Sequence, residues 1–279
     1  MKYTVRRATR KELNIAVEWA AKEGWNPGLY DTETFYATDP QGFFMGFLDD
    51  EPVASLSAVS YPDEFGFLGF YIVKPEHRGK GYGWVIWKEA IQYLHAHNIG
   101  LDGVVAQQGN YKKSGFKRAY ENIRYEGIGG KAAKKSTYIV PLSKVPFDAI
   151  LTYDRKMFPA ERAAFLRLWI RQPKSLALGQ VKNGKLLGYG MVRPCRVGYK
   201  VGPLFADNEK IADELFQQFR AFVGKQKIYL DVPEVNKRAI VLAKKYHMKP
   251  MFETARMYTK KAPDIALHKI FGVTTFELG

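Results

Sequence analysis

Hydrophobic positions recur along this chain with two periods. Phe67 to Val73 is an apolar run rich in aromatic and β-branched residues, which predicts a strand. After a turn at Pro75, Trp87, Ala90, Ile91 and Leu94 stand at i, i+3, i+4 and i+7, one stripe of a helix. Upstream, Phe43 to Leu48 and Pro52 to Ser60 form a two-strand pattern around Asp49-Asp50-Glu51. Leu176 to Val181 and Lys185 to Val192 repeat that pattern around Asn183-Gly184, a dipeptide suited to a tight hairpin.

These patterns recur at a constant offset. Shifting the chain by 132 residues sets Lys117 on Lys249, Tyr120 on Phe252, Glu121 on Glu253 and Arg124 on Arg256. The same shift sets Tyr71-Ile72-Val73 on Pro203-Leu204-Phe205. The two halves therefore read as divergent copies of one domain. Pro141 and Pro146 flank a short polar link, so the division is expected at residues 1–142 and 143–279, with a groove between packed copies. Lys131 to Lys135, after Gly129-Gly130, reads as a basic turn between strands.

The length of 279 residues suits two domains of ordinary size. No apolar run reaches the roughly 18 residues that cross a bilayer, and no membrane contact is expected. A single cysteine, Cys195, excludes an internal disulfide and suits a reducing, cytoplasmic setting. His77, His95, His97, His247 and His268 form no cluster with metal-ligand spacing, so no metal is expected. Charge is unevenly shared: residues 1–140 hold 18 Lys+Arg against 16 Asp+Glu, and the remainder hold 25 against 12. The basic second half would attract an acidic partner.

Candidate chemistry lies between the strand and the helix stripe, in Arg78-Gly79-Lys80-Gly81-Tyr82-Gly83. A glycine-rich loop at a helix N-terminus offers free amides and a positive dipole end to a phosphate or pyrophosphate. Neither the Walker A spacing nor the dinucleotide fingerprint is present. The loop instead resembles the acyl-CoA pyrophosphate loop of the GNAT superfamily of N-acetyltransferases. Asn110-Tyr111-Lys112-Lys113-Ser114-Gly115-Phe116 is similar to a second element of that family, although the helix leading into it looks short. The second half resembles an acetyltransferase-like domain that follows a GNAT domain. Its counterpart of the loop, Asp207 to Ala212, has no glycine and added carboxylates, a poor place for pyrophosphate.

The resemblance implies an α/β (α+β) fold of two tandem GNAT-like domains, each a mixed, mostly antiparallel sheet flanked by helices, with the first copy catalytic. It implies acetyl-CoA as donor, with Tyr71, Ile72 and Val73 beside the pantetheine arm, Arg78 to Gly83 (Lys80 and Tyr82 included) on the pyrophosphate, and Asn110 near the cofactor. Tyr111 would protonate the leaving thiolate, and Glu64 would take the proton of the attacking amine. Trp19, Trp25, Tyr30 and Phe35 fall where acceptor walls usually lie. The acceptor would be a small-molecule or peptide amine. The alternative is a non-catalytic, acyl-CoA-responsive protein that binds a polyanion or nucleic acid through the basic second half, though zinc-finger spacing and an RNP-like motif are absent.

Overall fold

The computed structural model describes residues 2–131 and 136–279, so most of the expected turn at Lys131 to Lys135 lies outside the described residues. The first copy runs β1 (Tyr3–Arg7), α1 (Arg10–Lys22), α2 (Asp31–Thr38), β2 (Phe43–Leu48), β3 (Glu51–Tyr61), β4 (Phe65–Val73), α3 (Tyr82–Tyr93), β5 (Asn98–Val104), α4 (Gln108–Lys113) and β6 (Lys117–Ile128). The second runs β7 (Ile139–Pro141), α5 (Phe147–Asp154), α6 (Ala163–Trp169), β8 (Leu176–Lys182), β9 (Lys185–Pro194), β10 (Tyr199–Ala206), α7 (Glu209–Val223), β11 (Lys227–Pro233), α8 (Lys237–Lys245) and β12 (Lys249–Tyr258). A last strand, β13 (Ile270–Gly272), follows.

Local signals account for these elements. Thr9 caps α1 in a reciprocal box with Glu12. Asn183 and Gly184 take φ values of 50° and 74°, as a two-residue hairpin turn requires. Trp87, Ala90 and Leu94 are buried beneath α3 and Ile91 is half-buried, as their spacing predicts. The helix that carries Asn110 and Tyr111 is six residues long. Strand β7 pairs with β8, so it belongs to the second copy although it precedes residue 142.

The copies do not merely pack side by side. Among the described residues the strands form one continuous sheet in the order β1-β2-β3-β4-β5-β12-β6-β11-β10-β9-β8-β7. Each copy's sixth strand has crossed over: β12 pairs with β5, and β6 pairs with β11. Where β6 and β12 meet, Asn122 faces Thr254, residues 132 apart, so a pseudo-twofold axis passes between them. Lys117 facing Tyr258 and Glu126 facing Lys249 are one pair repeated by that axis. Buried ion pairs lock the exchange. Arg256 holds Asp102 at 2.7 Å and Arg124 holds Asp231 at 2.7 Å.

The copies differ where their parallel strands part. In the second, β10 and β11 pair only from Tyr199 to Val201, and β13 then takes up the edge of β10, with Leu204 facing Gly272. The amide of Val273 donates to the Asp231 carbonyl at 2.8 Å, which ties the tail to β11 as well. In the first, β4 and β5 pair only from Phe65 to Leu68. A bulge at Phe70, with φ 47°, bends β4 away, and no described strand enters the gap.

Candidate active site

From Val73 the chain turns through Pro75–His77 and enters α3 at Tyr82. Gly79 and Gly81 have φ values of 76° and 84°, a region that side chains disfavour. A Cβ at either would meet nothing within 4 Å, so glycine is needed there for conformation rather than space. Gly83 is different: its Cβ would lie 2.7 Å from the Tyr71 hydroxyl, so glycine lets α3 close on β4. No side chain caps α3, and the amides of residues 79–83 have no acceptor among the described residues. Five successive free N–H groups at the positive end of a helix make an anion cradle. Arg78 borders it, with Nε donating to the Val73 carbonyl at 2.9 Å and the guanidinium paired to Glu23.

A cavity of about 510 Å³ leads inward from this cradle along the gap between β4 and β5. Its middle is walled by Tyr71, Ile72, Val73, Trp87 and Tyr111. Beyond Leu68 the edge of β4 that faces β5 has no strand partner, which leaves backbone groups for a ligand. The Tyr111 ring stacks on Trp87 at 5.6 Å, and a Cβ at Gly103 would come within 2.8 Å of that ring. Burial raises the Tyr111 pKa well above that of an ordinary phenol, so it holds its proton near neutrality. Its hydroxyl has no hydrogen-bond partner among the described residues.

The inner end is built by both copies. Asp102 comes from β5, Trp25 from the segment after α1, Phe252 and Thr254 from β12, and Phe276 and Glu277 from the tail after β13. The tail is wedged where β4 and β5 begin to part. A Cβ at Gly69 would lie 2.1 Å from the Glu277 carbonyl oxygen, and the Tyr61 hydroxyl donates to the Leu278 carbonyl at 3.0 Å. The Arg124 guanidinium lies 5.0 Å from the Phe276 ring centroid, fixing one wall.

Of the residues expected at the site, Tyr71, Ile72, Val73, Arg78, Gly79, Gly81, Tyr82, Gly83 and Tyr111 line this cavity. Lys80 and Asn110 are exposed and do not; the Asn110 amide donates to Gln107 at 2.8 Å. Glu64 stands apart, exposed in the β3–β4 turn with φ 52°, its carbonyl accepting from the Asn98 amide at 2.8 Å. Trp25 reaches the cavity, whereas Trp19 and Phe35 belong to the core. Cys195 is buried away from the lining, and burial pushes its thiol pKa up. Asp102, Phe252, Thr254, Phe276 and Glu277 carried no functional signal in the sequence. The alignment of Phe252 with Tyr120 and of Arg256 with Arg124 pointed near them, as did the closing segment Phe271 to Gly279, one of the features that resemble an acetyltransferase-like domain.

Two family models match the sequence, the acetyltransferase (GNAT) family over residues 10–116 and an acetyltransferase (GNAT) domain over residues 150–272. Over 278 residues the chain is 35% identical to a holothin acyltransferase of Pseudoalteromonas sp. (strain SANK 73390), covering 99% of this chain and 95% of that one. The chain belongs to the GNAT family of acetyltransferases. It is an enzyme of acyl transfer with tandem GNAT domains. A putative acetyltransferase from Pyrococcus horikoshii shares the fold with a TM-score of 0.84 at 24% identity, covering 99% of this chain and 96% of that one. A tandem GNAT protein from the clavulanic acid biosynthesis pathway shares it with a TM-score of 0.62 at 12% identity, covering 94% and 100%. No helix among the described residues is long and apolar enough to cross a membrane.

Proposed function

We propose that this enzyme transfers an acetyl group from acetyl-CoA directly to an amine, with donor and acceptor bound together in the first copy's cavity. GNAT enzymes generally use acetyl-CoA, which supplies an acetyl group activated as a thioester. The observation that carries the reading is the contrast between the copies. The first has an open strand gap with five free amides at its mouth, and the second has its gap filled by β13 and no glycine loop.

The residues present fit this donor. Amides 79–83 would hold the pyrophosphate, with Arg78 beside it. The free edge of β4 at Tyr71, Ile72 and Val73 would pair with the pantetheine amides and orient the thioester carbonyl. Tyr111 would give its proton to the departing sulfur, a role suited to a phenol that remains protonated near neutrality. Glu64 is too far out in its turn to serve as base. Against the polyanion alternative, Arg162, Arg193, Arg238, Lys245 and Lys269 of the second half are each engaged with carboxylates.

Calorimetry tests the donor site. One acetyl-CoA is expected to bind per chain, and Gly81→Glu is expected to abolish that binding, since it places a carboxylate and a left-handed side chain in the cradle. Two equivalents bound, or affinity retained in Gly81→Glu, would remove the assigned loop from the reading.

A further inference from the structure

Five carboxylates lie buried near the junction of the two copies, and four have an arginine. Asp31 pairs with Arg193, Asp102 with Arg256, Asp154 with Arg162 and Asp231 with Arg124. Glu277 is the exception. It is 3% exposed, lines the inner end of the cavity and has no ion pair among the described residues; its carboxylate meets only the Thr275 hydroxyl. Arg124, Arg193 and Lys200 lie close enough to bias Glu277, but none makes an ion pair with it; a buried carboxylate with no cation in contact is costly, so such a site is suited to a cation that arrives with the ligand.

A second observation points to the same chamber. Thr254 is 2% exposed and lines the cavity, and neither its hydroxyl nor the buried side-chain oxygen of the facing Asn122 has a hydrogen-bond partner among the described residues. Around these polar groups stand Trp25, Phe252, Phe276 and Phe70. A chamber with aromatic walls, one unpaired carboxylate and an unsatisfied hydroxyl matches a compact aryl-alkyl primary amine. It does not match a polyamine or an extended peptide, whose further charged or amide groups would go unpaired here.

We propose that Glu277 is the acceptor carboxylate of this enzyme, binding the ammonium of a small aryl-alkyl amine and taking its proton. The inference rests on the acetyl-CoA reading given above and assigns the second copy's tail to the first copy's chemistry. The ammonium gives one proton to Glu277, which passes it to water. The freed lone pair forms the C–N bond to the acetyl carbon as the C–S bond breaks. Sulfur takes the Tyr111 proton, and the second proton shed by nitrogen restores the Tyr111 hydroxyl. Arg124 on β6, Arg193 on β9 and Lys200 on β10 bring positive charge towards Glu277, and Asp102 on β5 shares the cavity. The two arginines pair with Asp231 and Asp31, and the Nη1 of Arg193 has no partner among the described residues. Lys200 contacts the Trp25 carbonyl at 3.5 Å, and burial lowers its pKa.

The test uses the full chain, acetyl-CoA and 2-phenylethylamine, followed by thiol release. The wild type is expected to acetylate 2-phenylethylamine with a higher kcat/KM than spermidine or a lysine-containing peptide. Glu277→Gln, which keeps the side-chain shape, is expected to cut kcat/KM near neutral pH roughly 100-fold. Its loss is expected to shrink as pH rises past the pKa of the amine, where no proton need be removed. Its affinity for acetyl-CoA should stay within about twofold of wild type, which separates this inference from the donor site. Thr254→Val is expected to raise KM for the amine with little change in kcat. Turnover of Glu277→Gln close to wild type, a lower melting temperature with an unchanged pH profile, or a wild-type preference for spermidine or peptide would each overturn the proposal.

Discussion

Arg256, on the sixth strand of the second copy, holds Asp102, on the fifth strand of the first, through hydrogen bonds of 2.9 and 2.7 Å. Arg124 and Asp231 make the same contact across the pseudo-twofold axis, at 2.7 Å for both bonds. Each pair is buried and each fastens a crossed-over strand to its new neighbour. The exchange is therefore part of the cooperative structure, and the cavity that depends on it is rigidly framed.

Removing one member of such a pair leaves the other charge buried and alone. Arg256→Met is expected to destabilise the chain by about 3–5 kcal/mol in chemical denaturation. Arg124→Met is expected to cost at least as much, because Arg124 makes the matching pair with Asp231 and also donates to the Trp25 carbonyl at 2.7 Å. A loss below about 1 kcal/mol in either, the range of exposed pairs, would show that the ion pairs do not fasten the exchange.

Tyr111→Phe keeps the ring that stacks on Trp87 and removes only the hydroxyl, which has no described partner. Turnover is expected to fall by about 100-fold, with acetyl-CoA affinity and melting temperature unchanged. Full activity in this variant would mean that the thiolate leaves without help from Tyr111.

Acid stability should report on the start of α1. Hydrogen bonds from Arg6, together with those from Thr9, push the Glu12 pKa down to about 2. An unfolded glutamate titrates near 4.3, so the folded chain favours ionised Glu12. That stabilisation is fully present above the unfolded value and is lost as pH falls towards 2. Melting temperatures of wild type and Glu12→Gln are therefore expected to differ near neutrality and converge by about pH 2. A constant difference across that range would assign the effect to shape rather than charge.

Local physics made much of this protein legible. The stripe of Trp87, Ala90 and Leu94, the turn at Asn183-Gly184 and the glycine pattern of 79–83 each act over a few residues; the last of them marks an anion cradle, and acyl transfer was implied only by its resemblance to the GNAT loop. The offset of 132 reappears in the register of β6 on β12, where Asn122 faces Thr254, but the sequence did not predict that these strands pair. Glu64 looked suitable only because it opens β4. In the fold, a left-handed turn holds it in solvent at the far end of that strand from Val73 and the glycine loop.

What the chain alone determined was therefore the repeat, the elements within each copy and the glycine loop at the start of α3, all set by periodicity, turns and local backbone conformation. Tertiary structure decided which copy's sixth strand lies beside which fifth strand. The sequence could not, since Arg124 offers Asp102 the same charge and geometry that Arg256 does, and backbone hydrogen bonds do not distinguish two strands of like pattern. That choice joins Asp102 to Arg256, 154 positions apart, and the tail that closes one gap and brings Glu277 to the other joins Tyr61 to Leu278, 217 apart. Proximity of that kind is created by burying shared apolar surface, and no short stretch of sequence records it.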